Sequence, residues 1–361
     1  WAMFQSFFLA FGVLATALVG IWGVSSFAPT APDFNLQASV SSPAVEQPLP
    51  VWNPTKLAWR QATSSVPGSP RDAHTTAVFN GKLYLMGGLD GDRAVNGYGV
   101  EYWNAPHFSD IWATADGENW ELVTQDAPWG KRRSSSVEIF QNEMWLFAGL
   151  RGDNFNYDRT IWHTADGANW ATSTLTTWYG REGQASAVFN GKLWFAGGVN
   201  FTDRKTLNDV WFSEDGINWQ EATAQAPWAK RYDHTLTVFK DKLWLIGGLD
   251  FGEKYMNDVW VSTDGVNWEL AVAKAPWPAR HGHGAVVYKD KLWIVGGWGE
   301  NGGFNDIWFT ADGYNWEKTD TDGPWVGRED HSVTVFNNKI WLMGGMGSGF
   351  RWQGDVWFSE N

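Results

Sequence analysis

Six arginines recur along the chain, Arg71, Arg132, Arg181, Arg231, Arg280 and Arg328, at intervals of 61, 49, 50, 49 and 48 residues. A guanidinium offers a planar fork of donors matched to carboxylates, so a regular ring of them could hold an acidic ligand. Four of them are followed three residues on by a histidine: His74, His234, His283 and His331. Four equivalent imidazoles could in principle ligate a metal. The pattern also reads as scaffold. Five of the arginines follow a tryptophan by three residues (Trp129, Trp178, Trp228, Trp277, Trp325), which predicts Arg–Trp stacking in every copy. The acids Asp72, Glu182, Asp233 and Asp330 stand close enough in sequence to neutralise the arginines. The histidines then pack behind a Gly-Gly pair as part of the repeat frame. We expect neither a metal nor a cofactor.

Composition removes other chemistries. The 361 residues contain no cysteine, which excludes disulfides, thiolate metal sites and a cysteine nucleophile. No Ser-His-Asp motif, phosphate loop or metal signature is found. With 40 acidic and 27 basic residues the net charge is -13. An acidic surface repels phosphate backbones, so nucleic acid is not an expected partner.

The elements that must carry these residues are repeats. RDAHTTAVFNGKLYLMGG from Arg71 returns as REGQASAVFNGKLWFAGG from Arg181, RYDHTLTVFKDKLWLIGG from Arg231, RHGHGAVVYKDKLWIVGG from Arg280 and REDHSVTVFNNKIWLMGG from Arg328. A more divergent copy starts at Arg132, with Ser135 for His, Ala148 for Gly and Thr160 for Asp. A second phrase, such as NDVWFSEDGINW, follows each copy and is cut short in the last, GDVWFSEN. Each copy divides into four short strands. Two-residue turns such as Asn80-Gly81 and Asn190-Gly191 are hairpin signals. Four antiparallel strands every 48 to 50 residues make a propeller blade. The sixth copy lacks its fourth strand. LAWRQATSS from Leu57 matches INWQEATAQ from Ile217, so the N-terminal strand should complete the last blade and close the ring. The expected fold is all-β: a six-bladed propeller of four-stranded blades over residues 56–361.

The Gly-Gly after the second strand, the spaced tryptophan of the fourth and the R-x-x-H opening resemble kelch repeats, as in galactose-oxidase-like propellers. The resemblance covers about 305 of the 361 residues. It implies a binding module or, as the alternative, a carbohydrate-active propeller resembling N-acetylneuraminate epimerase or a sialidase. Kelch binding modules use arginines at such positions to hold acidic peptides, so the six arginines are candidate binding residues. The thioether-linked copper site of galactose oxidase would need the cysteine this chain lacks. A sialidase would need an arginine triad and a Tyr–Glu pair, for which Tyr179 and Glu182 are the residues at hand. The S/T-x-D-G-x-N-W turns resemble a shortened sialidase Asp box, read here as structural. The stripe Trp112, Trp211, Trp260, Trp308 and Trp357 is read as packing between blades.

The turns joining strands 1–2 and 3–4 are short and uniform, whereas the connections on the other face are long and variable. Variable loops on a rigid frame carry binding, so the second face is the working face. Its largest irregularity is the 21 residues between Gly88 and Asp110, with Tyr98, Tyr102, Trp103, His107 and Phe108. An aromatic insertion beside the odd blade fits a protein contact at the rim of blades 1 and 2.

Residues 1–27 read as one transmembrane helix, because Phe4 to Val24 holds no charge and about 21 residues span roughly 30 Å. Gly12, Thr16 and Gly20 give it a small-residue face for another helix. Residues 28–55 hold six of the 14 prolines and read as an extended tether. The expectation is therefore a single-pass, membrane-anchored propeller, periplasmic or extracellular. It would serve as a recognition or accessory subunit, gripped by other membrane-protein subunits through the helix and the blade 1–2 rim.

Overall fold

Period-two alternation of small, β-branched and aromatic residues makes the strands, and short αL turns join them. At Asn80 and Gly81, φ is 47° and 73°. This is the pair of left-handed residues a tight hairpin needs, and asparagine and glycine adopt it readily. Elsewhere Lys240-Asp241 and Asn337-Asn338 hold the same turn without glycine. In most blades the second strand closes its own hairpin through a tryptophan: the Trp194 indole donates to the Phe189 carbonyl at 3.0 Å and Trp341 to Phe336 at 2.9 Å.

The computed structural model describes residues 52–91, 95–96, 99–100, 105–173, 176–252 and 254–360. It forms six four-stranded antiparallel sheets. The third blade is typical, with Ala185–Phe189, Lys192–Ala196, Val210–Ser213 and Trp219–Thr223 in spatial order from the inside out. The innermost strands neighbour one another in turn: Thr75–Phe79, Ser136–Phe140, Ala185–Phe189, Thr235–Phe239, Gly284–Tyr288, Ser332–Phe336 and back to Thr75–Phe79. In the last blade the outer strand is Ala58–Thr63, paired antiparallel with Val356–Glu360. The two ends of the chain share one sheet.

The core lies between blades. Each apolar cluster joins neighbours, as where Trp194 and Val210 of the third blade meet Leu243 and Leu245 of the fourth. Second strands are buried on both faces for this reason. The Asp-Gly turns key each blade into the preceding one. A Cβ on Gly117 would lie 2.1 Å from the Trp341 ring, so only glycine fits there. Each turn is held by its aspartate: Asp264 Oδ1 accepts from the Val266 and Asn267 amides at 2.8 Å. The Asp-box turns are structural, as read from the sequence.

The expected membrane helix, with Gly12, Thr16 and Gly20, lies outside the described residues. Among the described residues no helix is long and apolar enough to cross a membrane.

Candidate functional site: the channel mouth

The six arginines sit inside the blades. Arg71, Arg181, Arg231, Arg280 and Arg328 are 0% exposed and Arg132 is 2%. Each pairs with an aspartate at the start of the third strand of its own blade: Arg71–Asp110 at 2.8 Å, Arg132–Asp158 at 2.6 Å, Arg181–Asp209 at 2.6 Å, Arg231–Asp258 at 2.7 Å and Arg280–Asp306 at 2.6 Å. Arg328 pairs with Asp355. The other donors reach backbone carbonyls. Arg71 also donates to Ser69, Gly87 and Pro67. In five blades the stripe tryptophan clamps the same aspartate, as Trp211 does Asp209 at 2.8 Å.

Three expectations change with this geometry. The arginines are neutralised across the blade by these aspartates and not by the adjacent acids. In the divergent blade the partner is Asp158, two residues before the Thr160 that stands at the aligned position. Stacking on tryptophan is found for Arg132 and Arg231. Arg71, Arg181 and Arg280 lie instead over Phe108, Phe195 and Phe304, at 4.0, 5.0 and 4.4 Å.

The four histidines are buried between blades. Burial, with the neighbouring arginine's charge, holds His74, His234 and His331 neutral with pKa values down to about 3. His283 is depressed in the same way, so all four act as packing groups near neutrality. Among the described residues no group of three His, Asp or Glu is spaced to hold a metal.

Of the insertion residues, Tyr98, Tyr102 and Trp103 lie outside the described residues. His107 is buried at 3%, edge-on to Phe155 at 6.4 Å. Phe108 lies under Arg71. His107 thus packs against the second blade, and Phe108 against the buried arginine of the first.

The residue after each arginine turns toward the channel instead; five of these six are buried, and Tyr232 is half-buried. All six are mounted alike, on a two-residue ladder or single bridge to the segment beyond the second strand. The pairs are Asp72↔Leu89, Arg133↔Leu150, Glu182↔Val199, Tyr232↔Leu249, His281↔Trp298 and Glu329↔Met346. The next residue turns left-handed in every blade, at φ values from 49° to 64°: Ala73, Ser134, Gly183, Asp233, Gly282 and Asp330. In five of the six its amide donates to its counterpart in the preceding blade, as Ala73 to Asp330 at 3.0 Å and Asp233 to Gly183 at 2.8 Å. A hydrogen-bonded backbone girdle thus surrounds the channel mouth. It holds six side chains, three carboxyls with an arginine, a tyrosine and a histidine, on equivalent mounts.

Those side chains form one electrostatic group. Arg133 holds Glu182 at 3.0 Å, and Tyr157 donates to the same carboxylate at 3.5 Å. His281 stands between Asp233 at 3.5 Å and Glu329 at 3.1 Å. Burial alone would lower the His281 pKa, but the Asp233 hydrogen bond and the Glu329 charge raise it. Burial raises Glu329, and the Asp233 charge adds to this against the pull of His281. Asp330 is raised by burial and by Asp233, Glu329 and Asp72. Asp72 is pushed up to about 7 by burial, with Arg133 opposing. Below lies a cavity of about 170 Å³ lined by Gln184, Asp233, Asp330 and the four histidines. A groove of about 550 Å³ between Lys254, Tyr255, Glu300 and Phe304 opens between the fourth and fifth blades.

Tyr179 and Glu182 do not form a pair: the Tyr179 hydroxyl bonds Asp203, while Glu182 is held by Arg133. Nor do three arginines converge, since each is closed into its own blade.

Repeated four-stranded blades on a ring define a β-propeller. Residues 42–248 and 183–359 match the KLHDC2/KLHL20/DRC7 Kelch-repeats domain, and the chain belongs to the kelch-repeat family. A similar solved structure is titled "Structure of YjhT", at 17% identity and a TM-score of 0.67, covering 83% of this chain and all of that one. At this identity the likeness concerns the fold. No curated protein sequence matches.

Proposed function

We propose that this propeller is a recognition module. In this reading it is an accessory subunit of a larger membrane complex, held in the bilayer by Phe4–Val24 and engaging its partner through the channel-mouth face. One observation carries the recognition reading. A single backbone mount is repeated six times and bears side chains of five types: Asp72, Arg133, Glu182, Tyr232, His281 and Glu329. Scaffold positions keep their residue from blade to blade, whereas positions that vary on a constant frame are free to serve a ligand. The membrane placement rests on the uncharged run from Phe4 to Val24.

The test is retention in mild detergent. Full-length protein and a Glu182→Gln/His281→Gln variant are isolated from membranes, and co-eluting proteins are identified by mass spectrometry. The variant should lose the partner at temperatures well below its own melting transition, which loss of the buried Arg133–Glu182 pair should lower. Gly12→Leu with Gly20→Leu should loosen the association independently, and so should Tyr102→Ala with Trp103→Ala. If all three variants elute with the wild-type set of proteins, the recognition reading falls.

A carbohydrate-active propeller is the second reading. It is favoured by His281 between two carboxylates, a group able to move a proton. Turnover of sialic acids or other sugars that is lost in His281→Gln would establish it in place of the first.

A further inference from the structure

Resting on the recognition reading, we propose that the mouth binds an organic cation, an ammonium or guanidinium such as a basic side chain of the partner. It would be held by Asp233, Glu329 and Asp330 against the rings of Tyr232 and Tyr255. The ligand chemistry is the opposite of what six arginines suggest, and the reason is structural. The arginines are closed into the blades by their own aspartates, so the acids beside them are left to the mouth.

Carboxyl groups outnumber bases at the mouth. Arg133 is engaged with Glu182, and His281 is shared between Asp233 and Glu329. Asp330 and Asp72 add two further carboxyls to the same group. Asp233 and Asp330 are half-buried and line the cavity, so a ligand can reach them. The backbone brings them there. Each side chain leans over a glycine of the preceding blade: a Cβ on Gly183 would lie 2.5 Å from Asp233 Oδ1, and one on Gly282 2.8 Å from Asp330 Oδ1.

A second, independent observation asks for hydrogen-bond donors. Gln184 is 9% exposed and lines the same cavity. Its amide nitrogen donates to the Ser134 carbonyl at 3.3 Å and the Ser136 hydroxyl at 2.9 Å. Its amide oxygen is buried and receives no donor. A buried acceptor without a donor is costly, and an ammonium or guanidinium brings several.

The third observation is aromatic. Tyr255 lies 5.5 Å from the His281 ring and Tyr232 6.5 Å, with Phe201 5.5 Å behind Tyr232. Ring faces beside carboxylates suit an organic cation. A bare metal ion fits less well, since among the described residues no three of these groups converge at ligand spacing.

The experiment is titration calorimetry of the full chain in detergent with Nα-acetyl-lysine methylamide, Nα-acetyl-arginine methylamide and Nα-acetyl-glutamate methylamide. Both basic probes should bind saturably below about 10 mM and the acidic one should not. Asp233→Asn with Asp330→Asn should weaken the basic probes at least tenfold; asparagine keeps the side-chain shape and tolerates the left-handed backbone. If that variant melts early, Glu329→Gln is the replacement. Binding should also release protons near pH 7, read from heats in buffers of different ionisation enthalpy. Glu329 and Asp330 face Asp72 and Arg133 on one side and Asp233 and His281 on the other, and a bound cation lowers their proton affinity. No saturable heat, equal binding of the acidic probe, or a double variant that binds like wild type overturns the proposal. If basic probes fail while partner retention still depends on the mouth, only the ligand class is wrong. If they bind while retention is indifferent to the mouth, recognition of a protein partner is wrong.

Discussion

His74 of the first blade presses on Gly344 of the last: a Cβ on Gly344 would lie 2.6 Å from His74 Cε1. The same relation joins His234 to Gly197, His283 to Gly247 and His331 to Gly296, at 2.7, 3.0 and 2.8 Å. Each histidine thus requires glycine in the preceding blade. In the second blade that position is Ala148, also left-handed at φ 58°, and the next blade carries Gln184 in place of histidine. Two departures from the repeat are one accommodation.

Gln184→His should therefore destabilise the protein by about 1–3 kcal/mol, through overpacking against the Ala148 methyl. Ala148→Gly alone should cost little, and the double variant should recover most of the loss. Urea unfolding of the four proteins forms the cycle. Additive effects would show that the two positions do not meet.

Arg181→Ala leaves Asp209 buried without its counter-charge. Breaking such a pair costs about 3–5 kcal/mol. The midpoint of urea unfolding should fall accordingly. An exposed pair such as Lys192–Glu214, at 2.8 Å, should contribute under about 1 kcal/mol on Lys192→Ala. Equal losses from the two substitutions would contradict the scaffold role of the buried arginines.

Deleting residues 51–63 removes the strand paired with Val356–Glu360 and opens an edge on the last blade. The melting temperature should drop by several degrees, and the truncated protein should aggregate more readily on heating. A truncation that melts like the full chain shows that this strand does not hold the ring.

Glu138 on the innermost strand of the second blade accepts from the Ser186 hydroxyl at 2.6 Å. Burial raises its pKa from 4.5 to about 7, against the Ser186 bond. The folded state binds this proton more tightly than the unfolded one. Its contribution is fully present below pH 4.5 and is lost as pH rises through 7. Glu138→Gln lacks this dependence, so its stability relative to wild type should improve by about 1–3 kcal/mol between pH 4.5 and 7.5 and then level off. A difference that stays flat with pH would place Glu138 in contact with bulk water.

Blade number, hairpin turns and the N-terminal strand in the last blade were legible because repetition averages out local ambiguity. Leu57 to Thr63 could be matched to Ile217 to Thr223 residue for residue. The arginine partners were not legible. Asp209 lies 28 residues beyond Arg181, and acids such as Glu182 stand nearer in sequence but face the mouth. Asp158 was hidden by a two-residue offset in the divergent copy. His281 carries no repeat signal, because it occurs in one blade, beside a repeated histidine that only packs. The usable signal was positional: the residue after each arginine varies while those around it recur.

Trp52 completes the last interlock by other means. Five Asp-Gly turns each seat on a ring of the preceding blade, and among the described residues the sixth blade has no such turn. Trp52 meets that blade's neighbour instead, 6.1 Å from Tyr288 and 6.2 Å from Trp293, with Lys289 Nζ 4.6 Å over its ring. Lys289 belongs to a short hairpin turn, on the side of the disc away from the acidic mouth. Trp52 accordingly lies on the back of the propeller. Any tether pulling on residue 52 pulls through an aromatic plug that also locks the first strand in place, so tension on the stalk would be felt first at the seam between the two chain ends.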